Sequence, residues 1–163
     1  MIILIVTFLA FIMEFIFNRF LFDSLFLPLI ILTTIILVEP YFKKNKNKYY
    51  VYAFVVGFLY DLVYTGNYFM NSGWFLLIAV LVCFVNSNIP NNLIASILEL
   101  LVLIIIYRLC SYSLFLINDM VSFSFVVILR SIYSSLILNV CYGVILYFIL
   151  YFISKKFNIK RIN

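Results

Sequence analysis

Six long apolar runs, separated by polar breaks of only a few residues, constrain this chain more than any other feature. Of its 163 residues, 67% are hydrophobic and only 10% are charged, and the mean hydropathy is +1.24. A water-soluble domain of this size cannot bury so much apolar surface, so the sequence predicts an all-α integral membrane protein with one domain, 1–163. The runs predict six transmembrane helices near 2–17, 24–42, 49–65, 73–87, 93–117 and 122–153.

The basic residues predict the orientation of these helices because they fall into two clusters. One cluster follows the second run and the other follows the sixth run: Lys43, Lys44, Lys46 and Lys48, then Lys155, Lys156, Lys160 and Arg161. Lys and Arg concentrate in cytoplasmic loops, and six spans place both clusters on one side, whereas five would separate them. We therefore predict a multi-pass protein with both termini cytoplasmic. Contact with anionic lipid headgroups of the bilayer explains the clusters better than nucleic-acid binding does.

Six charged residues lie within the predicted spans, and four of them draw attention by their predicted depth: Glu14, Asp61, Arg108 and Arg130. Under the six-span topology all four fall in the outer half of the membrane. A single unpaired charge costs about 2.5–3.5 kcal/mol at the bilayer centre, so these charges need an explanation. Three interpretations remain open. The charges line a polar cavity for a ligand or a partner helix, they form ion pairs that fix helix packing, or the arginines extend to the outer headgroups. We favour packing for the two arginines.

The third run carries the most specific pattern, a glycine followed four residues later by an acid. Gly57 and Asp61 share one face of a helix at this spacing, so a close-packing surface lies beside a carboxylate. The pattern favours a role for Asp61 either in the fold or in contact with a partner. In the sixth run, Asn139 is a candidate for hydrogen bonding between helices.

Motifs of catalysis are missing from the sequence. The chain has no histidine, which removes the commonest acid–base group and metal ligand, and it lacks the nucleophile elbow, the phosphate loop and paired cysteines. We therefore predict no catalytic, cofactor-binding or metal-binding residues and expect a protein that is not an enzyme.

Three features resemble the rod shape-determining protein MreD family of bacterial cell-elongation proteins. These are Pro28 in the second helix, Gly57 and Asp61 in the third helix, and the polar junction of Gly66 and Asn71 before the fourth helix. Length, six apolar runs and minimal loops agree with the family over the whole chain. The resemblance makes these five residues candidates for packing or partner contact, and Pro28 is expected to kink its helix.

The resemblance implies a non-enzymatic scaffold in the bacterial cytoplasmic (inner) membrane. Such a protein binds MreC and sits with the cell-wall synthases, a RodA-like glycosyltransferase and a class B penicillin-binding protein, and with the MreB-linked assembly. It would thereby help to organise peptidoglycan synthesis and cell shape. The resemblance also implies a fold similar to the S component of energy-coupling-factor vitamin transporters, so a substrate-binding S component is the alternative. One departure from MreD is Leu27, which stands where the family often has an arginine.

Overall fold

The computed structural model describes residues 2–20, 29–42, 45–65, 69–88, 92–117 and 122–156, and these residues form helices. The all-α prediction is therefore confirmed for this part of the chain. Two α-helices are extended by a turn of a different helix type. The segments are α1 (Ile2–Phe20), α2 (Ile30–Val38) with a 3-10 turn (Glu39–Tyr41), α3 (Lys46–Tyr60) with a π-helical turn (Asp61–Thr65), α4 (Met70–Asn88), α5 (Leu93–Ile117) and α6 (Phe125–Lys156).

Local capping explains where two of these helices begin. The side chain of Asn45 accepts a hydrogen bond from the backbone N–H of Lys48, 3.3 Å away, and Asn92 accepts from the N–H of Ala95 at 2.8 Å. Asparagine is a favoured N-cap because its side-chain oxygen pairs an N–H that the helix leaves unbonded. These caps start α3 at Lys46 and α5 at Leu93.

The second helix is the core of the bundle. Every residue of Ile30–Val38 is buried, and α2 contacts α1, α4, α5 and α6. A helix that is apolar on all sides is expected to be enclosed in this way. With its 3-10 turn, α2 has a length of about 18 Å, well below the roughly 30 Å thickness of the hydrocarbon core. Leu29 is its N-cap, so the helix begins after Pro28, which lies outside the described residues.

Consecutive helices alternate in direction, since Glu14 near the end of α1 contacts the start of α2, and Gly57 near the end of α3 contacts the start of α4. Hydrogen bonds between α2 and α6 occur in rising order along both helices, which makes the two parallel: Leu29 with Asn139, Thr34 with Tyr142 and Tyr41 with Leu150. Gly143 of α6 permits close packing here, since a Cβ at this position would lie 2.9 Å from Leu100 of α5. The bundle thus has a lysine end, defined by Lys46 and Lys155, and an acid end, defined by Glu14 and Asp61.

The outer surface of the bundle is apolar, as expected for a protein in lipid. Large side chains such as Phe8, Phe84 and Phe152 are 64–70% exposed. Helices α1, α4, α5 and α6 are long and apolar enough to cross a membrane, whereas the apolar helix Ile30–Tyr41 is shorter. The chain is therefore a membrane protein.

Candidate functional site

Asp61 lies where α3 passes into its π-helical turn, and its carboxylate caps the N-terminus of α4. The two oxygens accept hydrogen bonds from the backbone N–H of Asn71 at 3.0 and 3.1 Å, from the Asn71 side-chain amide at 2.7 Å and from the Ser72 N–H at 3.0 Å. Asp61 is only 1% exposed. Because the first N–H groups of a helix have no partner within it and carry partial positive charge, a carboxylate is well suited to this place.

Gly57 lets α4 approach α3 closely enough for this contact. A Cβ at residue 57 would lie 2.6 Å from Cα of Ser72 and 3.0 Å from the carbonyl oxygen of Asn71. Real side chains do not approach backbone atoms so closely, so only glycine fits without movement of the helix. The face shared by Gly57 and Asp61 is thus covered by α4 of the same chain. Contacts within the fold therefore explain both the glycine at residue 57 and the carboxylate at residue 61.

Glu14 of α1 caps α2 in a similar way. Its Oε2 accepts from the backbone N–H of Ile31 at 2.8 Å, and the side chain is completely buried. On the other side of the same helix end, Oδ1 of Asn139 accepts from the N–H of Leu29 at 2.9 Å and from the hydroxyl of Thr33 at 3.3 Å. The prediction that Asn139 bonds between helices is therefore confirmed. The N-terminus of α2 is capped by side chains from α1 and α6.

Both capped helix ends belong to one buried polar cluster, which residues of α5 join together. The hydroxyl of Tyr107 donates to Oδ1 of Asn71 at 2.6 Å, so a chain of hydrogen bonds runs from α5 through α4 to Asp61. The next residue, Arg108, donates from Nε to the hydroxyl of Ser135 on α6 at 3.4 Å. Arg108 also interacts electrostatically with Glu14. Three of the predicted intramembrane charges, those of Glu14, Asp61 and Arg108, thus lie in the same region.

The remaining predicted residues are placed differently or fall outside the described residues. Arg130 lies in the second turn of α6 with an exposed side chain, whereas Arg108 is half-buried. Asn71 is buried and is central to the cluster. Gly66 and Pro28 lie outside the described residues.

Two completely buried polar atoms of the cluster have no hydrogen bond of ordinary geometry within the described ranges, although the Tyr60 hydroxyl interacts with the Glu14 carboxyl group. These atoms are Oε1 of Glu14 and the hydroxyl oxygen of Ser72. A buried polar atom without a partner costs about 1–3 kcal/mol, so both atoms are places where a polar molecule would be stabilised. No group of three or more His, Cys, Asp or Glu side chains is arranged to hold a metal ion in the part of the chain that the structure describes.

Sequence reasoning missed the roles of Tyr107 and Ser72. A signal for the first was present, because a tyrosine directly before an arginine in the middle of an apolar run needs a partner for its hydroxyl. The contact of Ser72 with Asp61 uses a backbone N–H, and no side-chain pattern signals such a contact.

Searches of protein-family models, of curated proteins and of solved structures find no match to this chain. Function must therefore be argued from the chain's own residues and their geometry.

Proposed function

We propose that this chain is a non-enzymatic membrane scaffold of the bacterial cell-elongation complex, similar to MreD. In this function it binds an MreC-like protein and helps to organise peptidoglycan synthesis and cell shape. The observation that carries the proposal is the use of the buried acids. Asp61 and Glu14 both serve as caps for helices of the same chain. Both acids thus hold helices of the bundle together, as expected of a scaffold.

The cluster favours a scaffold over a binding site for an anionic solute. In many transporters, helix N-termini inside the membrane point at anionic groups of the substrate. Here the N-termini of α2 and α4 already hold protein carboxylates, and both oxygens of Asp61 accept backbone N–H groups. An anion would have to displace Glu14 or Asp61 to reach either helix end.

For this function we infer six membrane crossings with both termini in the cytoplasm. The alternating helix directions support this topology, as does the hydrogen bond from Tyr41 to the Leu150 carbonyl. That bond ties the end of α2 to the end of α6, so Lys46 and Lys155 lie at one end of the bundle. Reporter fusions at Asn45 and after Asn163 should both give cytoplasmic signals. Opposite signals at these two points would exclude six crossings.

The alternative function is a substrate-binding S component of a vitamin transporter. Oε1 of Glu14 and the hydroxyl oxygen of Ser72 favour it, because each would gain a hydrogen bond from a polar molecule bound beside it.

One pair of experiments separates the two functions. For a scaffold, depletion in a rod-shaped host should give round cells, and the tagged protein should co-purify an MreC-like partner. The exposed variant Asn47→Leu should retain the partner, because residue 47 lies at the surface of the lysine end. Tight binding of a vitamin by the purified protein, without a co-purified partner, would instead establish the S-component function.

A further inference from the structure

The junction before α4 contains a backbone conformation that its residue does not favour. Phe69 has φ of 68°, in the left-handed region, and it is the only non-glycine residue with positive φ in the described ranges. A bulky side chain there is a genuine outlier, because its Cβ crowds the following carbonyl group. Glycine would adopt the same conformation without this cost.

Phe69 also occupies the N-cap position of α4 without being able to cap it. Its carbonyl oxygen accepts the first bond of the helix, from the N–H of Gly73 at 3.2 Å. An ordinary N-cap residue lies in the β region and pairs a free N–H through a side-chain oxygen. Phe69 lacks that oxygen, and Asp61 supplies it from α3 to Asn71 and Ser72.

Two contacts hold the unfavourable conformation in place. One is the set of hydrogen bonds from Asn71 and Ser72 to Asp61. The other is the packing of the Phe69 ring on α3, where the ring centroids lie 5.3 Å from Phe58 and 6.5 Å from Phe54. The ring itself remains 59% exposed at the surface. A π-helical turn, which is frequent at functional sites, begins at Asp61 within the same junction.

We propose that Phe69 and the first turn of α4 form a conformational latch. It couples the contact of the Phe69 ring with the surface of α3 to the capping of α4 by the buried Asp61. In the closed state, which the structure holds, the Phe69 ring lies on Phe58 and Asp61 caps α4. In the open state Phe69 relaxes to negative φ, its ring leaves α3, and the first turn of α4 separates from Asp61. The strain of the closed state lowers the free energy of opening, so this end of α4 opens without unfolding of the bundle. Any contact that displaces the exposed ring thereby uncaps the helix.

Hydrogen exchange of the Asn71 and Ser72 amides in the purified full chain tests the latch. Phe69→Ala and Phe69→Gly both remove the ring, but only alanine keeps the Cβ that strains the left-handed backbone. We expect exchange of both amides to be faster in Phe69→Ala than in the wild type. In Phe69→Gly it should be about 5–30-fold slower than in Phe69→Ala, because the left-handed penalty is about 1–2 kcal/mol.

Which of these two variants exchanges its Asn71 and Ser72 amides more slowly decides whether strain is stored. Alanine normally stabilises a protein more than glycine does, so slower exchange in Phe69→Gly indicates a strained backbone at residue 69. Exchange in Phe69→Gly that is as fast as in Phe69→Ala would show that no strain is stored. The amide of Ala79, buried in the middle of α4, reports on global unfolding. If its exchange rises as much as that of Ser72, the opening is not local and the latch is excluded. Phe84→Ala, which removes an exposed ring from the other end of α4, should change neither amide.

Discussion

The capping of α4 by Asp61 predicts that Asp61→Leu destabilises the protein itself, whether or not a partner is present. The substitution removes the acceptor of three donor groups, which are the N–H of Asn71, the side-chain amide of Asn71 and the N–H of Ser72. Hydrogen bonds to a charged group contribute about 1.5–3 kcal/mol each, so the loss is about 4.5–9 kcal/mol. About 2.5–3.5 kcal/mol is regained because no carboxylate remains within the membrane. The net loss is about 1–6.5 kcal/mol.

The measurement is unfolding of the purified protein in detergent micelles by heat or by sodium dodecyl sulfate. Asp61→Asn is the informative companion, since it keeps one oxygen acceptor and should cost less than Asp61→Leu. Asn47→Leu is the control, because it replaces a polar residue at an exposed position. If Asp61→Leu unfolds like the wild type while assembly with a partner is lost, Asp61 acts at an interface and the capping argument is wrong.

Three further predictions concern residues that fix the same helix ends. Gly57→Ala should destabilise the protein by about 1–3 kcal/mol, because the new Cβ would collide with the Ser72 backbone. Gly73→Ala is the control and should be neutral or stabilising, because its Cβ meets nothing within 4 Å. Thermal unfolding compares the two variants. Glu14→Leu should cost about 1–3 kcal/mol by leaving the α2 N-terminus unpaired, and Glu14→Gln should cost less in the same assay. Asn139→Leu should lower the unfolding midpoint as well, and faster hydrogen exchange at the start of α2 would identify the cause.

The sequence predicted those parts of the fold that depend on nearby residues. The span 93–117 coincides with α5 because its start is marked by an asparagine cap and its body is continuously apolar. The fourth span was predicted from 73, yet α4 begins at Met70. Its first turn is polar and is stabilised by Asp61 of another helix, so hydropathy alone placed the start too late. The second span was predicted from 24, whereas α2 begins at Ile30, where side chains of α1 and α6 cap it and no local pattern marks the start.

The spacing of Gly57 and Asp61 correctly indicated a close-packing face with an acid, but it could not indicate what covers that face. A glycine and a carboxylate on one side of a helix suit a partner protein and a neighbouring helix equally well. The choice depends on where α4 lies in space, which no local pattern contains. The same applies to Arg108 and Arg130, which have similar surroundings in sequence but differ in burial.

Two of the four buried acids, Glu14 and Asp61, follow one physical rule, which explains why these two carboxylates persist in such an apolar chain. A helix that begins below the membrane surface leaves several N–H groups without water, and each unpaired group costs free energy. A carboxylate on the preceding helix pairs with these groups and also interacts favourably with the helix dipole. Glu14 does this for α2 and Asp61 for α4. An acid within a span therefore need not indicate transport or catalysis, because the start of the following helix can account for it.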